Sequence, residues 1–110
     1  MNRNKRVYKT LLLAGLLLAG NVSAELSVEH QARLLHLLRH DCGSCHGMTM
    51  KGGLGPALLP ESITAKPKEL MVQTILEGRS GTAMPPWKTL LGRDEAAWLI
   101  ETLTKGLPSE

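Results

Sequence analysis

The sequence has no phenylalanine, a single tyrosine and only two tryptophans in 110 residues. Aromatic side chains supply much of the bulk of small cores, so a chain this poor in them has little to build one from. Only two cysteines are present, which excludes a disulfide-dense scaffold and a four-cysteine zinc site. No apolar stretch reaches the roughly 20 residues that span a bilayer. Nothing alternates apolar and polar residues as a half-buried strand does, and there are no internal repeats and no low-complexity tract.

Basic residues exceed acidic ones, thirteen to ten, for a formal charge of +3 at pH 7. That excess is local. Arg3, Lys5, Arg6 and Lys9 precede the apolar run Leu11 to Gly20, and Val22-Ser23-Ala24 follows it. A positive start, a short apolar stretch and a small-x-small site form the layout of a secretory signal peptide. Residues 1–24 are expected to be cleaved, leaving residues 25–110 as one domain. The competing reading, a retained membrane anchor, fails on length. There is no twin arginine, which favours the general secretory route, and no cysteine after Leu-Ala-Gly to carry a lipid. The protein is expected in the periplasm of a bacterium, off the membrane after cleavage, and monomeric. Without the leader, nine Lys and Arg face ten Asp and Glu, so the positive charge gives no reason to expect nucleic-acid binding. Tyr8 goes with the leader, and the remaining 86 residues need a filler for their core.

Three helices are legible. The first spans about Ser27 to Asp41, with Ser27 as N-cap and Leu34, Leu35, Leu37 and Leu38 on a broad apolar face. A Gly- and Pro-rich loop is expected from Gly43 to Pro60. The second helix runs from Pro67 to Glu77 and stops at Gly78, with Leu70, Met71, Thr74 and Ile75 on one face. A loop from Arg79 to Leu91 holds Met84-Pro85-Pro86-Trp87. The last helix covers Arg93 to Lys105, with Asp94 and Glu95 in its first turn, where the helix dipole favours acids.

Cys42-Gly43-Ser44-Cys45-His46 carries the chemistry. The C-x-x-C-H spacing lets each thiol add to one vinyl group of a haem while the adjacent histidine reaches the iron. Export fits, because such thiols outside the cytoplasm otherwise end as a disulfide. A zinc site lacks ligands, a thioredoxin-type pair lacks its strand–helix context, and a plain disulfide leaves His46 unexplained. The second axial ligand is expected to be Met84, 38 residues on, in a loop stiffened by two prolines. Methionine sulfur is soft and raises the potential of a haem. Met48 and Met50 lie too close to His46 to reach the opposite face, and Met71 falls on an apolar helix face as core filler. Pro56 is placed for its carbonyl to accept the second ring N–H of His46. His30, His36 and His40 read as a solvated face, although His36 and His40, one turn apart, form a geometrically possible metal pair.

These residues give the resemblance. A helix ending in C-x-x-C-H, then Gly55-Pro56-Ala57-Leu58, then Met84-Pro85-Pro86-Trp87, then an amphipathic closing helix resembles class I cytochromes c. It covers nearly all of the chain beyond the leader; four-helix-bundle cytochromes place the motif near the C-terminus and fit poorly. The resemblance implies an all-α class I cytochrome c fold around one covalently attached haem c. Cys42 and Cys45 would be the attachment points and His46 and Met84 the axial ligands. The first and last helices would cross near the haem edge, with Leu38 where an aromatic is usual and Trp98 as compensation.

The runs RLLHLLRHDCGSCHGMTMKGGLGPAL and GTAMPPW are similar to the small periplasmic cytochromes c that accompany cytochrome cd1 nitrite reductase in denitrifying bacteria. That implies an electron carrier rather than an enzyme, with redox proteins as partners: cytochrome cd1 nitrite reductase or proteins of haem d1 biosynthesis. A haem d1 maturation role is the alternative, and a gas sensor or enzyme with open iron a third. The exposed edge of the group would be rimmed by residues 43–47 and 81–87, with Met48, Ala83, Pro85 and Pro86 as an apolar patch. Lys51, Arg79 and Lys88 would form a basic rim.

Overall fold

The structure is a computed structural model that describes residues 24–110; the expected signal peptide, Ala24 apart, lies outside the described residues. Among the described residues there are helices and no strands: α1 (Val28–Leu37), a π-helical turn (Leu38–Cys42), α2 (Gly43–His46), α3 (Pro60–Thr64), α4 (Lys68–Glu77) and α5 (Arg93–Lys105). None is long and apolar enough to cross a membrane.

Ser27 starts α1 as expected, its hydroxyl accepting the His30 N–H at 3.2 Å. The helix does not stop at Asp41. It continues through the π turn, where the Gly43 N–H reaches the Leu38 carbonyl five residues back. Gly43 itself is helical (φ −62°, ψ −24°), so the loop expected from this position begins only after His46. The wider turn rotates the residues after it about the helix axis. It leaves Leu38 in the core and Cys42, Cys45 and His46 on the wall of a cavity.

α3 was not legible in the sequence. It is five residues long, with Pro60 in its first turn, and it places the buried Ile63. α4 and α5 match their expected spans, α4 beginning at Lys68, one residue later than expected. Leu34 and Leu38 meet Val72 of α4 and Leu99, Ile100 and Leu103 of α5 in a single core. The α1–α5 crossing is therefore aliphatic. Leu38, where the resemblance led one to expect an aromatic, is buried, and Trp98 packs half-buried against the same core.

Met50 is the least expected core residue. It lies in the loop after α2, in the left-handed region (φ 60°), yet only 1% of it is exposed. Its N–H donates to the Gly47 carbonyl at 2.9 Å and its carbonyl accepts from Leu58 at 2.8 Å, so the loop is folded around it. Met50→Ala is expected to cost about 2–5 kcal/mol, read by chemical or thermal unfolding of the holoprotein. Met48→Ala, at a position 56% exposed, is expected to stay within about 0.5 kcal/mol.

One polar bridge ties the first helix to the last. His30 Nε2 lies 2.5 Å from Glu95 Oε1, and the Gly92 N–H donates to Glu95 Oε2 at 2.6 Å. The cap bond from Gly92, and then His30, hold the Glu95 carboxyl below its usual 4.5. A depressed carboxyl contributes stability above its unfolded value and loses it as pH falls through the folded one. Holoprotein stability is therefore expected to drop below about pH 4.5 more steeply than in Glu95→Gln, as measured by denaturant midpoints across the acid range. The ion pairs Lys68–Glu101 and Arg93–Glu69 also join α4 to α5; both are solvent-exposed and orient the helices more than they stabilise them.

Candidate haem-binding site

A cavity of about 760 Å³ opens between α2, α3, α4, the loop before Trp87, and α5. That volume lies in the range of cofactor sites, roughly 300–1,000 Å³. Cys42, Cys45, His46 and Met84, the four residues expected to hold a haem, all line it. So do Leu38, Ile63, Leu99, Ile100 and Leu103, so the hydrophobic core is also one wall of the cavity.

His46 ends the first helical rod. Its Nδ1–H donates to the Pro56 carbonyl at 2.7 Å, the bond expected from the sequence. This fixes the tautomer and leaves Nε2 as the free, basic nitrogen. The ring lies against Gly55, where a Cβ would stand 2.8 Å from Cε1 and 2.9 Å from Nδ1. Only glycine admits the imidazole here. Gly55→Ala is expected to push the ring off Pro56 and to lower the yield of correctly ligated holoprotein, as seen in its visible spectrum.

Both thiols are free. Burial first, and the Asp41 carboxylate second, push the Cys42 thiol up to about 11. It is therefore protonated at neutral pH and a poor thiolate for disulfide exchange. Two thiols and an imidazole on one wall of an apolar cavity suit a porphyrin bound through thioethers. They do not suit a bare metal ion, and no cluster of three or more His, Cys, Asp or Glu residues occurs among the described residues.

Met84 comes from the loop after α4, half-buried. The loop caps that helix: the Trp87 and Lys88 N–H groups donate to the Ile75 and Leu76 carbonyls at 3.1 and 3.2 Å. Gly78 makes the crossing possible. It sits at φ 67°, and a Cβ there would lie 2.7 Å from the Met84 carbonyl oxygen. The sequence marked Gly78 only as a helix stop. Met71 packs against the core as its helix face suggested and also lines the cavity, so two methionines border the site. Met48, expected beside the exposed edge, does not line the cavity; it borders a separate groove with Arg39 and His40. His36 and His40 are exposed, their rings 4.3 Å apart, and neither lines the cavity.

Comparison with known proteins agrees with this fold. Residues 30–101 match the family model described as cytochrome C oxidase, cbb3-type, subunit III. The chain is 57% identical over 76 residues to cytochrome c55X of Pseudomonas aeruginosa, covering 69% of this chain and 64% of that relative's length. The solved structure of the c-type cytochrome NirC superposes with a TM-score of 0.71 at 52% identity, over 73% of this chain and 94% of that one. Dihydro-heme d1 dehydrogenase NirN in complex with DHE matches at 36% identity and a TM-score of 0.60, over 68% of this chain but only 16% of the dehydrogenase. The chain belongs to the c-type cytochromes of the c55X or NirC type: all-α, class I electron carriers with one covalently bound haem c.

Proposed function

We propose that this cytochrome is exported to the periplasm and carries electrons for denitrification, with cytochrome cd1 nitrite reductase as its redox partner. In this reading Cys42 and Cys45 would hold the haem through thioethers, and His46 and Met84 would bind its iron. The observation that carries it is that these four side chains line one apolar cavity, with His46 already oriented by Pro56. A haem held there supplies a one-electron couple between ferric and ferrous iron. The protein's part is to hold the ligands, exclude water and present one edge. Leu38, Leu99 and Leu103 exclude water from the inner wall. Ala83 and Pro85 are exposed at the cavity mouth and offer an apolar contact patch. Small, weak interfaces below about 1,200 Å² are usual between redox partners.

The rim charges are unequal. Arg79 lines the cavity and is exposed, whereas Lys88 is engaged by Glu77 at 2.9 Å. Arg79→Glu is therefore expected to slow electron exchange with an acidic partner several-fold at low salt, less at high salt, and more than Lys88→Glu does. Ala83→Asp is expected to slow it at every ionic strength. Stopped-flow exchange with purified cytochrome cd1 tests both the partner and the patch. Rapid exchange, slowed by Ala83→Asp, supports the reading; no exchange overturns the assigned partner.

The likeness to part of a haem d1 dehydrogenase favours a second reading, a redox accessory in haem d1 maturation. Under it, the cytochrome accepts electrons from a dehydrogenation step. Reduction of the ferric protein by that dehydrogenase with its substrate, absent with cytochrome cd1, would select this role.

A further inference from the structure

We propose that Thr82 is a positioning residue for Met84, its hydroxyl fastening the ligand loop from inside; this rests on the reading of Met84 as an axial ligand. The loop from Arg79 to Met84 closes on itself. The Arg79 N–H donates to the Met84 carbonyl at 3.2 Å, and the Thr82 N–H donates to the Arg79 carbonyl at 3.1 Å. The Thr82 hydroxyl completes the ring. It donates to the Arg79 carbonyl at 2.7 Å and accepts the Met84 N–H at 3.3 Å. Met84 is thus held at both backbone groups, its carbonyl by Arg79 and its amide by Thr82.

The rest of the loop gives little other restraint. Gly81 is at φ 75° with nothing within 4 Å of where a Cβ would stand, and Thr82 and Ala83 are exposed. Burial does not order this segment, so hydrogen bonds must. On the far side, Pro85 and Pro86 have fixed φ and lead into the Trp87 and Lys88 bonds to α4. Met84 therefore lies between a segment anchored to a helix and a segment closed by two backbone bonds, in which the Thr82 hydroxyl alone holds the Met84 amide. A thioether is a weak, neutral ligand, and its hold depends on how little its loop can wander. Removing the hydroxyl frees the Met84 amide and lets a competing ligand enter.

The test uses ferric holoprotein and added imidazole, which competes with the methionine for iron. Thr82→Val keeps the shape and loses the hydroxyl; Thr82→Ser keeps the hydroxyl. Thr82→Val is expected to bind imidazole about three- to ten-fold more tightly than wild type, the factor one net hydrogen bond is worth. It should also lose its methionine–iron charge-transfer band at a lower temperature, with Thr82→Ser restoring both. Thr64→Val, which removes a hydroxyl bonded to the Pro60 carbonyl inside α3, should leave imidazole affinity unchanged. If Met84→Ala tightens imidazole binding strongly while Thr82→Val does not, or if Thr82→Ser behaves like Thr82→Val, the role of Thr82 is overturned and the ligand assignment stands. If Met84→Ala leaves imidazole affinity unchanged, both fall.

Discussion

Met84→Ala is expected to abolish the weak charge-transfer band at the red edge of the ferric spectrum, to lower the reduction potential, and to make the ferrous protein bind carbon monoxide. On the proposed ligation, each effect would come from losing a soft sulfur ligand. Sulfur stabilises the ferrous state, so its loss favours the ferric one, and a vacated position accepts an exogenous ligand. Met71→Ala is the informative control, because Met71 borders the same cavity. Met71 sits in α4 and packs against the core, so its loss should reduce stability and leave the band in place. A band that survives Met84→Ala and disappears in Met71→Ala would transfer the ligand role to the helix.

The haem-free chain is expected to be largely unfolded. Leu38, Ile63, Leu99, Ile100 and Leu103 are buried and also form the cavity wall. With nothing bound, the apolar cavity they border, about 760 Å³ in volume, has no apolar filling. Net folding stabilities are only about 5–15 kcal/mol, and burying a single such side chain is worth roughly 1.5–3 kcal/mol. A cavity of that size left unfilled in the middle of the core removes much of what a domain this short can gather. The chain cannot compensate with aromatics, since Trp87 and Trp98 are the only ones beyond residue 24. Replacing both Cys42 and Cys45 by alanine should therefore yield protein without covalent haem and with little helical circular dichroism. A cooperative thermal transition in that double variant, close to that of the holoprotein, would contradict this.

Much of this arrangement was legible because it depends on local rules. Ser27 caps α1, Glu95 sits in the first turn of α5, and Gly78 stops α4. The Pro56–His46 bond was expected from a requirement of the imidazole and from the spacing of the two residues. What was not legible depends on tertiary packing. No residue type marks an i to i+5 bond, so the π turn that carries the helix on to His46 left no trace in the composition. α3 is too short for periodicity to register. Met50 lies among glycines in a stretch that reads as surface loop, and only its enclosure by the rest of the fold makes it core. That Met71, which packs on the core as expected, also borders the cavity was not legible, because a helical face says which side is apolar, not whether that side meets a partner helix or a cofactor cavity.

The central claim is that this protein passes single electrons through a haem whose iron has no free position. A spectroelectrochemical titration of the purified holoprotein, run under argon and again under carbon monoxide, tests it most directly. The account predicts one reversible one-electron transition with the same midpoint under both gases. A midpoint that moves upward under carbon monoxide would mean that the gas binds the ferrous iron, and it would contradict the claim in favour of an open-site sensor or enzyme.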